Sequence, residues 1–128
     1  MRGPAEAGAT DRERGTTFLA KKSAELLKGT LDMLILKTLE LEPKHGLGVS
    51  DRIAQITGGT FAVKPGSLFP ALHRLEQDGL VKAEWGATDA GRRAKYYELT
   101  LAGRRRLIVE KKNWSRIVMA IAQVLEAE

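Results

Sequence analysis

The segment GSLFPALHRLEQDGL, Gly66 to Leu80, constrains the fold more than any other part of the chain. In a helix, Leu68, Ala71, Leu72 and Leu75 recur at i, i+3, i+4 and i+7 and form one apolar stripe for a core. The opposite face carries Gly66, Pro70, His73, Arg74 and Gln77. Acidic residues enter only in the last turn, as Glu76 and Asp78, so the unpaired N–H groups of the helix start are free to attract phosphate. Gly79 is a natural stop. Pro70 breaks a helix interior, and is tolerated if the helix starts near residues 65–67 and so places it in or beside the first turn.

Beyond Gly79 the period changes. LVKAEW and AKYYELT alternate as strands do, and GATDAGRR between them is rich in turn residues, which together predict a β-hairpin. Val81, Ala83 and Trp85 share one face, with Tyr97 and Leu99 opposite them. Trp85 is therefore expected in hairpin packing rather than stacked on a base. Arg92, Arg93 and Lys95 place three cations within four residues at the tip, where they have little packing purpose. A solvated loop is the alternative to an anion-contacting one. Upstream, HGLGVSDRIAQITGG reads as a short helix with Val49, Ile53 and Ile56 inward and Gly58–Gly59 closing it, while His45 helps the turn before it. Phe61–Val63 is expected to form a short strand. Two helices joined by a brief turn and succeeded by a hairpin give a mainly α fold with a small β-hairpin, arranged as a winged helix-turn-helix.

The flanks suggest three parts: a flexible arm over 1–22, a winged helix-turn-helix over 23–100, and a terminal helix over 101–128. Residues 1–22 carry mixed charge without periodicity. From Ser23, LLKGTLDMLILKTLELEP predicts a helix ended by Pro43. Leu27, Leu31, Leu34, Ile35 and Leu39 form one stripe, while Leu26, Met33 and Leu36 lie off it. A helix apolar on more than one side needs cover on more than one side, from a second subunit or from the chain's own last helix. Thr100 is a good N-cap for that last helix. Its residues Leu107, Trp114, Val118, Ile121 and Leu125 recur at coiled-coil-like intervals. At about 25 residues it spans roughly 37 Å, more than so small a domain covers, and it is expected to pack on a partner.

Composition removes several classes of function. The 128 residues suffice for one domain. Lys and Arg outnumber Asp and Glu by 21 to 16, a net charge of +5, which favours a polyanionic partner. The absence of cysteine removes disulfides and thiolate chemistry and agrees with a reducing cytoplasm. No run approaches the roughly 20 apolar residues of a membrane span, and the N-terminus has no secretion-signal pattern. There are two histidines and no HExxH, GxSxG or phosphate-cradling GxxxxGK[ST] pattern. His73 and Glu76 form only a lone i, i+3 pair, too little for a metal site. No catalytic residue, metal or cofactor is expected.

Taken together, GTLDMLILKTLE, the HG that opens the second helix, PGSLFPALHRLEQDGLV and RRAKYYELTLAGRRRL stand in the order and spacing of one family. Over about residues 26 to 125 the chain resembles the PadR-family transcriptional regulators of the short type, with a single C-terminal dimerisation helix. The resemblance implies a homodimer that binds a palindromic double-stranded DNA operator, usually as a repressor. The third helix would enter the major groove and the wing would lie on the minor groove or backbone. It assigns Ser67, Phe69, Pro70, His73 and Arg74 to the DNA-facing helix and Arg92, Arg93 and Lys95 to the wing. Phe69 stands where the family often has tyrosine, and a phenyl ring donates no hydrogen bond. The chain then either lacks that contact or replaces it with Lys64 or Ser67, and simple packing is the alternative role of Phe69. The dimer surface is expected from Leu26, Met33, Leu36, Leu107, Trp114, Val118, Ile121 and Leu125. Some relatives take planar aromatic effectors between subunits, and Trp114 is the candidate to line such a space, with simple packing as the alternative. Arg104–Arg106 either touch the DNA backbone, balance acids at the dimer interface or form a solvated face. A winged helix used for contact with protein or RNA is the competing reading of the fold.

Overall fold

A computed structural model describes residues 29–128. The expected arm over 1–22 and the candidate interface residue Leu26 lie outside the described residues. The chain divides into Met1–Leu31 and Asp32–Glu128, and the larger unit contains the elements that position the site.

Helix α1 is described over residues 29–38. After it come a two-residue strand β1 (Lys44–His45), α2 (Gly46–Ile56), α3 (Pro65–Gln77), the hairpin strands β2 (Val81–Ala87) and β3 (Arg93–Leu99), and α4 (Leu101–Glu126). The sheet order is β1-β3-β2, antiparallel throughout. The third strand is therefore not the expected Phe61–Val63, which is irregular. Its place beside β3 is taken by Lys44 and His45, opposite Tyr97 and Tyr96. The eight-residue connection 57–64 is shaped instead by Thr57, whose hydroxyl donates to the Ile53 carbonyl (2.8 Å) and accepts from the Phe61 N–H (3.1 Å).

One core unites these elements. Leu68, Ala71, Leu72 and Leu75 of α3 are all buried, as their spacing requires, beside Val49 and Ile53 of α2 and Val81, Tyr97 and Leu99 of the hairpin. Each buried leucine contributes about 1.5–3 kcal/mol. Ile56, expected inward, is 61% exposed, because α2 ends there and the chain turns away. Met33 and Leu36 correct a larger expectation. Their place off the main stripe suggests a subunit interface, yet both are buried within the chain alongside Ile35 and Leu39. Leu107 is likewise buried in the chain's own core. Over the described residues, the second side of α1 is thus covered by the chain itself at Met33 and Leu36.

Two joints fix the hairpin and α4 to α3. Helix α3 ends at Gln77 with Asp78 as its C-cap, and Gly79 takes φ 74°, so that the Leu80 N–H returns to the Leu75 carbonyl at 3.0 Å and Gly79's to Glu76's at 3.0 Å. This is the left-handed closure that glycine permits without a Cβ penalty. Thr100 then performs two tasks. Its hydroxyl caps α4 by accepting from the Gly103 N–H (3.0 Å) and donates to the Gly79 carbonyl (2.7 Å). Helix α4 lies so close to this corner that a Cβ on Gly103 would stand 2.0 Å from the Leu80 carbonyl oxygen.

Candidate nucleic-acid interface

The start of α3 is exposed and free of acid. Lys64 is its N-cap residue without a side-chain cap bond, and Pro65 occupies the first helical position. The Lys64 carbonyl accepts from both Ser67 and Leu68 N–H groups at 2.9 Å. Lys64, Gly66, Ser67, Pro70, His73 and Gln77 are all exposed. With the helix beginning at Pro65, Pro70 lies in the second turn, inside the helix. Its missing N–H leaves the exposed Gly66 carbonyl without its usual partner four residues on.

Phe69 and Arg74 belong partly to the frame. The Phe69 ring, 43% exposed, lies against the first turn of α2 so tightly that a Cβ on Gly46 would be 2.6 Å from its edge. Arg74, expected to face DNA, has a guanidinium that donates to Asp32 of α1 at 2.6 Å, and its side chain is 38% exposed. A carboxylate 42 positions away thus already answers its charge. This pair ties α3 to α1. His45 anchors the other helix of the motif. Its Nδ1 accepts from the Gly48 N–H at 3.1 Å, capping α2, and its ring meets Tyr96 edge-on at 5.4 Å between centroids.

Tyr97 and Leu99 oppose the Val81–Ala83–Trp85 face as expected, in a register that sets Val81 opposite Leu99, Ala83 opposite Tyr97 and Trp85 opposite Lys95. The strands run further than their residue pattern suggests, so the turn shrinks to residues 88–92 and Arg93 begins β3. Lys95 is consequently not at the tip. Its ammonium donates to Glu76 of α3 at 3.1 Å, and this bond raises its pKa. It also lies 5.7 Å from the centre of the Tyr97 ring. Burial pushes the Tyr97 phenol up, with the Lys95 charge acting against it. Arg92 and Arg93 do occupy the outer end and are exposed. Neither makes an ion pair among the described residues, whereas Arg74, Lys82 and Lys95 all do. Trp85 is 61% exposed rather than enclosed in the hairpin, and Arg93 lies over its ring. The Trp85–Arg93 and Asp32–Arg74 pairs are not evident from the sequence, though the first is a diagonal neighbour once the hairpin register is set.

Helix α4 is buried at Gly103 and Leu107 only. Arg104 donates to the Glu40 carbonyl at 3.2 Å, while Arg105 and Arg106 are exposed. Beyond Leu107 the apolar stripe continues into solvent, with Trp114 42%, Val118 44%, Ile121 50% and Leu125 79% exposed. Among the described residues, no cluster of His, Asp or Glu could hold a metal ion, and no helix is long and apolar enough to cross a membrane.

A helix-turn-helix whose second helix opens to solvent beside a basic hairpin defines the class of winged-helix DNA-binding regulators. The model of the PadR-like family of transcriptional regulators matches residues 35–108. The chain belongs to that family, whose members are regulators rather than enzymes. It is similar to a PadR family transcriptional regulator from Eggerthella lenta DSM 2243, with a TM-score of 0.74 and 28% identity over 91% of this chain and 99% of that one. A PadR-like transcriptional regulator from Bacillus cereus gives a TM-score of 0.70 and 30% identity over 81% of this chain and 99% of its own. A transcriptional regulator of Mycobacterium tuberculosis is 44% identical over 52 residues, 41% of this chain and 48% of that protein.

Proposed function

We propose that this DNA-binding regulator is a homodimeric repressor of a palindromic operator, with α3 in the major groove and the wing on the flanking backbone. The observation that carries this reading is the apolar stripe Trp114, Val118, Ile121 and Leu125, left in solvent on a helix whose first turn is locked to the end of α3. Pairing two such helices buries the stripe. A twofold pair also fixes the distance between two recognition helices, as half-sites about one helical turn apart require. Lys64, Ser67, Pro70 and His73 face the groove, with Phe69 at their edge. Arg92 and Arg93 meet phosphates. Arg74 and Lys95 act instead by holding α3 to α1 and the hairpin to α3.

Trp114 packs within the proposed helix pair, at the start of the stripe. Titration with planar aromatic compounds, monitored by tryptophan emission in wild type and Trp114→Phe, tests whether the same space takes an effector. Emission that Trp114→Phe leaves fully quenchable would assign any response to Trp85. The reading as a whole is tested by sedimentation and by footprinting on the DNA upstream of its own gene. A dimer protecting two symmetric half-sites supports it, and a monomer that protects none contradicts it. A reporter under that promoter, expressed with and without the protein, gives the sign of regulation.

A further inference from the structure

The hairpin face that carries the Val81–Leu99 and Ala83–Tyr97 pairs continues outward to Trp85, opposite Lys95, and then to Arg93. It is the side next to the recognition helix, because Lys95 reaches Glu76 of α3 from it. A single exposed tryptophan needs no explanation by itself. Here, however, the Arg93 guanidinium lies 4.6 Å from the centre of the Trp85 ring. A cation so placed is attracted by the indole face, and the guanidinium N–H groups, which donate to no partner among the described residues, stay available for a bidentate contact with an anion. Arg74, Lys82 and Lys95 are different, since each pairs with a carboxylate of the chain, and Arg92, which like Arg93 makes no ion pair among the described residues, has no such ring contact there. Arg93 is thus charged, exposed and restrained, with its donor edge unused among the described residues.

We propose that Trp85 is a positioning residue for DNA binding, its indole holding the Arg93 guanidinium against the hairpin so that the N–H edge meets a duplex phosphate beside α3. The proposal rests on the DNA-binding reading above and deepens it. An unrestrained arginine loses much rotamer freedom when it binds, and the stack removes part of that loss beforehand. The ring acts through Arg93 and makes no contact of its own with the DNA.

The test is a double-mutant cycle, with affinity for a labelled random-sequence duplex read by anisotropy over a series of salt concentrations. Trp85→Ala is expected to weaken binding about two- to fivefold, the scale of an exposed cation–π contact, and to keep the wild-type salt slope. Trp85→Phe retains most of the affinity, because a phenyl face still carries the stack. Arg93→Ala costs more and lowers the salt slope by about one phosphate contact. In the Arg93→Ala background, adding Trp85→Ala has no further effect. Unchanged affinity in Trp85→Ala overturns the proposal, as does an equal loss with and without Arg93, which would mean that the ring itself touches DNA. A wild type that binds no duplex overturns the DNA-binding reading and this proposal together. Denaturant midpoints of all variants separate misfolding from these effects, and Trp85→Thr, which suits a strand but has no ring, carries the test if Trp85→Ala does not fold.

Discussion

At the scale of single residues, the chain spends its most constrained positions on joints rather than on the DNA-facing surface. Gly103 is the clearest. Its missing side chain lets α4 approach the Leu80 carbonyl, and the obstacle to a Cβ at 2.0 Å is backbone, which does not swing aside. Gly103→Ala is expected to lower stability by at least about 1–3 kcal/mol, as overpacking does, seen as a reduced denaturant midpoint. A Gly66→Ala control, where nothing lies within 4 Å of the added Cβ, should retain its midpoint. Thr100 serves the same corner through its two hydroxyl bonds, so Thr100→Val, which preserves shape but removes both, should cost about 1–2 kcal/mol. A midpoint unchanged in Thr100→Val would show that α4 is held by packing alone.

At the scale of elements, the wing joins the domain by chemistry that titrates. The Glu76 hydrogen bond raises the Lys95 pKa, so its stabilisation is full below the ordinary lysine value of about 10.4 and is lost as pH climbs through the raised one. Tyr97 acts in the same direction. Burial raises its pKa, and above about pH 10 the unfolded chain loses the phenolic proton that the folded chain retains. Urea midpoints should therefore fall as pH rises beyond about 10, less steeply in Tyr97→Phe. A profile flat to about pH 11 would mean that neither group couples folding to pH. At the outer end, Arg92→Ala with Arg93→Ala is expected to weaken DNA binding and flatten its salt dependence while leaving the fold intact. Much of this architecture is legible in the sequence because helix α3 and the hairpin each show their period: all four residues of the α3 stripe are buried, and Tyr97 and Leu99 oppose the face of Val81 and Ala83 as expected. Strand β1 is not legible, since two residues have no period, and Phe61–Val63 pairs with no strand among the described residues. The site is only half legible. Arg74 and Lys95 have the charge expected at a DNA surface, but their partners Asp32 and Glu76 lie 42 and 19 positions away. Charge patterns within one segment cannot show such pairs.

At the scale of the whole molecule, the same limit explains Met33, Leu36 and Leu107. An apolar stripe states that a face is covered without stating by what, and here the chain covers these three itself. The stripe beyond Leu107 has no such cover from the described residues. Ile121→Glu would place a charge in the middle of the proposed helix pair, where burial without a partner is costly. It is expected to convert a dimer to a monomer by sedimentation while leaving the winged domain folded, because Ile121 contributes nothing buried to that domain. Binding to a two-half-site operator should fall at least about tenfold, since each domain then binds without the link that makes the second half-site an intramolecular event. A dimer that survives Ile121→Glu would move the interface elsewhere.

Whether two copies of this chain read one symmetric stretch of duplex is decided by a gel-shift titration of the protein against DNA from upstream of its own gene, with random duplex as competitor, at two salt concentrations. The expected complex holds two chains on a palindromic segment, resists competitor and weakens with salt. A complex that random duplex removes as readily as the specific segment, or one containing a single chain, would refute the symmetric reading.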